Sequence, residues 1–390
     1  MSNKLAVFYL TDVPFPDGGM AAGNRILHLS KALVSAGAIV HVLTTLSDSK
    51  RIEDVDIDGV HYHSLSNKCG WFGRNLARYF FFYIAAFRFI HRYRSKKMVV
   101  YCYGINAFGT LLAYIIAKIC RAAFVREGCE YPYAIISGAS RWNVFWQVAV
   151  LRLFDGVVAI SKNLCEYYAA HTRKKCKVIH IPMTVDWKLF AKEDRASPFN
   201  FEYMAYMGNM CRKGGGVDVM VAAFNIVADK FHNLHLVLIG NGNDILKEQY
   251  EMMLDGEKRS RLHCLFGADI KRTEMPRYIK NAKLLAMLPL PTKQQEGCFP
   301  TKLGEYMSSG VPTVISRVGN PVGCLTDGEN IVYAPPGDVD QTAEVLCRVL
   351  KNNDISKKVG HSAQKFAKEH FDYALYGEQL YAWYNQLLKR

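Results

Sequence analysis

Short apolar runs alternate with segments of helical period along nearly the whole chain. KLAVFYL is closed by the Pro/Gly loop TDVPFPDGG and predicts a first parallel strand. In NRILHLSKALVSAG, Ile26, Leu29 and Leu33 recur at helical spacing, a Gly ends the segment, and IVHVLTT follows as a second strand. This is a βαβ opening. GVHYHSL alternates as a strand, MVVYCYG is a further strand, and GTLLAYIIAKICRA is a helix. From Phe201 the pattern restarts: FEYMAYMGN, LHLVLIGNGN and RLHCLFGAD read as strands, and EMPRYIKNAKLLAMLPLP as a helix then a strand. Two α/β units follow from this, expected at residues 1–190 and 191–365, with a linker over Lys188 to Asn200 and a helical tail at 366–390.

Composition narrows the class. The 390 residues are half hydrophobic, ample for two packed cores, which excludes a disordered chain. Eleven cysteines, an odd number without a CxxC pair, and no secretory signal point to a reduced cytoplasmic setting without a zinc site. The formal net charge is +14 and unevenly placed: between Asp58 and Asp155 the only acids are Glu127 and Glu130. Such a field recruits an anionic partner, whether acidic lipid head groups, a lipid-linked pyrophosphate or nucleic acid.

Within that basic half, Trp71 to Lys97 reads WFGRNLARYFFFYIAAFRFIHRYRSKK. As one helix it places Arg74, Arg78, Arg88 and Arg92 on one stripe, with aromatic residues around much of the rest. Its uncharged run is too short to span a bilayer. It suits the interface of an anionic membrane, and equally a helix that covers a sheet with its arginines outside.

Gly18, Gly19 and Gly23 do not form GxGxxG, so a nicotinamide site is not supported. The Asp-x-Asp triplets of EDVDIDG precede a strand and read as a solvated turn, and Asp338-Val-Asp340 reads as a helix start; no metal site is expected. In AAFVREGCEYPYA, Arg126, Glu127 and Glu130 stand just past a strand, where an open α/β sheet binds ligands; Glu127 is either a cleft residue or an internal partner for Arg126 or Arg121. Arg212 and Lys213 precede a Gly-rich helix start, a natural diphosphate site.

The most informative stretch is QEGCFPTKLGEYMSSGVPTVISRVGNPVGCLTDGENIVYAPPGD, from Gln295 to Asp338. A broken turn leads into a short helix closed by Gly310 and then a buried strand. The turn's backbone N–H groups and the positive helix end would face an anion, with Glu305 one turn inside to accept from sugar hydroxyls.

This stretch resembles the donor-site signature of retaining glycosyltransferases of family 4, whose GT-B fold sets two Rossmann-like, doubly wound parallel-sheet domains across a cleft. In that family two glutamates with seven residues between them bracket the turn. The resemblance places Glu305 on the nucleotide ribose. For the first glutamate, near the transferred sugar, Glu296 lies one residue out of register and Gly297 falls on it, so either Glu296 or the Gly297 to Thr301 backbone would hold the sugar. It further implies Gly297, Phe299, Pro300, Thr301 and Lys302 around the donor, and Gly18 and Gly19 in a loop over its phosphates. Glu127 would stand where many members carry a histidine. Asn209 replaces the usual arginine after Gly208, a role for which Arg212 could substitute, and Met183-Thr184 replaces the usual Asn-Gly after Pro182. The terminal helix would cross back to the first domain.

The implied activity is retaining, metal-independent transfer of a sugar from a UDP- or GDP-linked donor to a glycan or lipid-linked acceptor in cell-surface polysaccharide synthesis. The resemblance implies no cofactor; Arg212, Lys213 and Lys302 would stabilise the leaving diphosphate, and no residue is singled out as a nucleophile. The basic first half suggests work at the inner face of the cytoplasmic membrane, with no nucleic-acid partner. Its rivals are a GT-B sugar-nucleotide epimerase and a non-enzymatic basic protein that binds nucleic acid or membrane.

Overall fold

The computed structural model describes residues 4–13, 21–44, 54–64, 74–132, 140–191, 196–211, 214–267, 270 and 273–389, with the backbone alone at 74–79 and 191. The chain forms two compact units, Met1–Thr184 with Tyr373–Arg390, and Val185–Asp372. The divisions expected after 190 and 365 fall inside helices of the second unit instead. Packing explains the shift: Phe190 is buried, and Phe371 is buried against Phe299, so both segments are seated in that unit's core.

The first unit is an eight-stranded sheet ordered β3-β4-β2-β1-β5-β6-β7-β8, from β1 Leu5–Thr11, β2 Ile39–Thr44, β3 Val55–Ile57, β4 Val60–Ser64, β5 Lys97–Tyr103, β6 Ala123–Gly128, β7 Gly156–Ala159 and β8 Lys177–His180. Neighbours run parallel except β3 with β4. EDVDIDG is therefore not a plain turn. Val55–Ile57 is a strand of a hairpin whose tip, Asp58-Gly59, has both φ values positive, the geometry a tight Asp-Gly turn favours. Its carboxylates are engaged locally, Asp54 with His63 and Asp56 with His61.

Register assigns the sheet faces. Phe8, Val100 and Phe124 form one row across β1, β5 and β6, and Tyr9, Tyr101 and Val125 the next row on the opposite face. On the Phe8 face lie α2 Arg74–His91, through Phe89; α3 Ala107–Ile119, through Tyr114 to Phe124; and the 3₁₀ turn Val150–Leu153 after α4 Arg141–Ala149, through Phe154 to Phe124. On the Tyr9 face lie α1 Ala21–Ser35 and the last helix, which shares a buried core with Leu5, Val7 and Tyr9. The helix expected to reach Lys97 ends at His91, and Lys97 opens β5. Phe82, Tyr83, Ala86 and Ile90 of α2 are buried, while Arg88 and Arg92 are exposed, so α2 does cover the sheet; the side chains of Arg74 and Arg78 lie outside the description.

Between the β7 and β8 strands runs α5 Lys162–His171. The second unit opens with α6 Trp187–Ala191 and has a wholly parallel six-stranded sheet, ordered β11-β10-β9-β12-β13-β14. Its strands are β9 Glu202–Asn209, β10 Leu234–Asn241, β11 Leu262–Phe266, β12 Leu284–Met287, β13 Thr313–Ser316 and β14 Val332–Ala334. This is the doubly wound order of a dinucleotide-type domain, and its switch point lies between β9 and β12. Helices α7 Val217–Lys230, α8 Asp244–Met252, α9 Met275–Lys280, α10 Lys293–Gly297, α11 Thr301–Ser309, α12 Val339–Lys351 and α13 Asn353–His370 complete it; α14 Gly377–Leu388 is the terminal helix of the first unit.

Candidate functional site

The Gln295–Asp338 block supplies the loop after β12, then α11 and β13, so it stands at the carboxyl ends of the strands flanking the switch point. Two glycines bring the loop after β9 against it. The Leu290 N–H donates to the Gly214 carbonyl oxygen at 2.9 Å. Gly216 has φ +69°, and a Cβ there would lie 1.6 Å from the Leu288 carbonyl oxygen, so no other residue fits. Arg212 and Lys213, expected beside the diphosphate, lie outside the described residues, as do Gly18 and Gly19.

The loop from Thr292 to Pro300 is tied from below. The Thr292 hydroxyl caps α10 by accepting from the Gln295 N–H at 3.2 Å. Asn320 Nδ2 donates to the Glu296 carbonyl oxygen at 3.1 Å, with those of Gly297 and Cys298 at 3.5 Å. Gly319, at φ +71°, lets its chain pass so close that a Cβ would stand 2.4 Å from the Gln295 carbonyl oxygen. Gly297 and Phe299 are buried, Phe299 against Phe371, whereas the Glu296 carboxylate is exposed and paired with Lys293 at 2.9 Å.

Helix α11 then begins without a side-chain cap. Pro300 occupies the N-cap position, and no acid lies in the first turn. The first N–H groups of any α-helix have no partner within it, and here they carry the positive end of the dipole uncompensated. Helix α7, by contrast, has Asp218 in its own first turn. Thr301, Lys302 and Glu305 are half-buried on α11. Tyr306 anchors the helix: its buried hydroxyl accepts from the Met207 N–H at 2.7 Å, at the end of β9. Burial drives the Tyr306 phenol well above its ordinary value, so it stays protonated.

The first unit holds a separate buried charge. Arg25, only 2% exposed, donates from Nη2 to Glu127 Oε1 at 3.3 Å and to the Ile181 carbonyl oxygen at 2.8 Å, and from Nη1 to the Pro182 carbonyl oxygen. The other carboxylate oxygen of Glu127 accepts from Tyr101 Oη. Burial, reinforced by this carboxylate, pushes the Tyr101 phenol and the Cys129 thiol well above their ordinary values. Glu127 is thus the internal partner of Arg25, not of Arg126 or Arg121. The pairing joins residues 102 positions apart, and no local spacing signals it. Tyr306 and Asn320 were equally hidden, although both stand inside the block.

Among the described residues no cluster of His, Cys, Asp or Glu can hold a metal ion, and no helix is long and apolar enough to cross a membrane.

The fold defines a two-unit, doubly wound α/β protein whose second sheet has an uncapped helix start at its switch point. Residues 22–187 match the domain family described as Glycosyltransferase Family 4, and residues 202–352 the one described as Glycosyl transferases group 1. The chain belongs to glycosyltransferase family 4, and its two parallel-sheet units are those of the GT-B fold. It is 25% identical over 178 residues to a 2-deoxystreptamine N-acetyl-D-glucosaminyltransferase of Niallia circulans, covering 45% of this chain and 43% of that one. It is 23% identical over 189 residues to the capsular polysaccharide biosynthesis glycosyltransferase CapM of Staphylococcus aureus, covering 48% and 46%. The chain thus aligns with less than half the length of these relatives. Anabaena HepE, crystallised with UDP and glucose, superposes with a TM-score of 0.72 at 16% identity over 98% of this chain and 99% of that one.

Proposed function

We propose that the protein transfers a sugar from a nucleotide diphosphate sugar, with retention, to a glycan or lipid-linked acceptor in cell-surface polysaccharide synthesis. The observation that carries this is the uncapped, acid-free start of α11 at the switch point, with Lys302 in its first turn and Glu305 one turn in. The diphosphate sits on the α11 N–H groups, where Lys302 meets the charge that grows as the sugar leaves, a role the family resemblance extends to Arg212 and Lys213. No metal is needed for that charge. Glu305 accepts from the ribose hydroxyls, and the tied 297–301 backbone, with Phe299, Pro300 and Thr301, shapes the sugar site. The Glu296 carboxylate is turned to Lys293, which favours the Gly297 backbone over Glu296 as the sugar contact. The family resemblance assigns Gly18 and Gly19 to the donor phosphates.

UDP is the first candidate donor nucleotide, since HepE holds UDP with glucose. The acceptor is met at the cytoplasmic membrane's inner face, for which Arg74, Arg78 and Arg88 of α2 and Arg92 just after it supply positive charge.

Thermal shift against UDP, GDP, ADP and their sugar conjugates tests the donor site. One nucleotide family should raise Tm, EDTA should leave the shift unchanged, and Glu305→Ala should remove it. Silence toward all of them from the folded protein overturns the reading. Release of free sugar at full rate without acceptor would instead mark a hydrolase or epimerase.

A further inference from the structure

Helix α4 is nine residues long, and none of them is buried. Its sequence, RWNVFWQVA, is rich in β-branched and aromatic residues, and a helix of that length is marginal in water on propensity alone. Yet it presents Trp142, Phe145 and Trp146 at 65%, 57% and 46% exposure, packed on one another with ring centroids 5.6 to 5.9 Å apart. Beside it, α3 exposes Phe108, Leu111, Ile115 and Ile119, one stripe at helical spacing, although its other side already serves the core. A groove of about 680 Å³ runs between these helices, lined by Phe108, Leu111 and Trp146 together with Val150 and Leu153. Helix α2, on the same sheet face, adds the exposed Phe80 and Phe81.

The charge around this surface is predominantly positive. Arg88, Arg121, Arg141 and Arg152 are exposed, and of the two acids between Asp58 and Asp155 one, Glu127, is buried in its ion pair. A second copy of the chain would bring two such basic rims together, each on a protein of formal charge +14. An anionic bilayer complements both features: tryptophans settle at the head-group level, aliphatic side chains reach the acyl boundary, and arginines meet phosphate.

We infer that α4 and the exposed stripe of α3 form an interfacial docking element that inserts Trp142, Phe145 and Trp146 into an anionic phospholipid bilayer. It deepens the acceptor-side half of the function proposed above and rests on that half, not on the donor site. Docking this face also places the apolar α3–α4 groove at acyl-chain depth, beside an acceptor's lipid tail.

The test is co-sedimentation of the whole protein with vesicles of phosphatidylcholine alone or mixed equally with phosphatidylglycerol. Tryptophan emission is read with acyl-brominated lipid. The protein should prefer the anionic vesicles, with emission blue-shifted and quenched. The triple variant Trp142→Ser, Phe145→Ser, Trp146→Ser should bind roughly tenfold more weakly or worse and lose the quenching. Because no residue of α4 is buried, its Tm should match the parent, and a UDP-induced shift in the variant would show the donor site intact. Unchanged vesicle binding by the variant overturns the inference. So do bound protein without quenching, equal affinity for neutral vesicles, or a dimer in solution that the same substitutions dissolve. A parent that binds vesicles but no nucleotide would defeat the donor reading and leave this one standing.

Discussion

The Tyr306 hydroxyl sits against both backbone groups of Met207, accepting from its N–H at 2.7 Å and facing its carbonyl oxygen at 3.4 Å. This pair joins the helix that starts at the candidate diphosphate site to the end of the central strand β9. Tyr306→Phe leaves a buried N–H without its partner, at a cost of about 1–3 kcal/mol. Urea unfolding should show that loss, and the nucleotide-induced Tm shift should shrink with it. An unchanged shift would mean that α11 keeps its place without the bond.

The Arg25–Glu127 pair is the second anchor. Arg25→Met strands a buried carboxylate and should destabilise by about 3–5 kcal/mol, while Arg25→Met with Glu127→Gln, which removes both charges, should recover much of it. Strict additivity in chemical denaturation would contradict the contact.

Gly319 holds a backbone conformation open almost only to glycine, with φ +71° and ψ −155°. Gly319→Ala adds a methyl group 2.4 Å from the Gln295 carbonyl oxygen, so the 295–298 loop must move. Strain of about 1–3 kcal/mol should be accompanied by a roughly tenfold loss of donor affinity, measured by calorimetry.

Stability should fall on acidification. His41 packs against Phe8, His61 and His63, and burial, then repulsion from His63, His61 and Lys96, pushes its pKa down to about 3. Between about 3 and the ordinary 6.5, the unfolded chain holds a proton that the folded one refuses, so the stabilisation is full above 6.5 and fades below it. His180, His235 and His263 are lowered too and act with the same sign. Tm should drop from pH 7 to pH 5, and His41→Phe should flatten the slope.

What the sequence determined by itself is local and periodic. The apolar runs and helical spacings identified most strands and helices, and Pro300 and Gly310 marked the two ends of a short helix. The run from Trp71 showed an arginine-rich helix, though not where it stops, because helical spacing cannot see that Lys97 already pairs with Leu5 in the sheet. EDVDIDG failed for a related reason: a three-residue strand exists only through its partner. What tertiary structure alone decided are pairings at long separation, Arg25 with Glu127 and Tyr306 with Met207, and the shift of Phe190 and Phe371 into the second unit. It also decided that the aromatic face of α4 stays uncovered. Burial is a property of the packed chain: only the fold shows that nothing within the described residues buries Trp142 and Trp146.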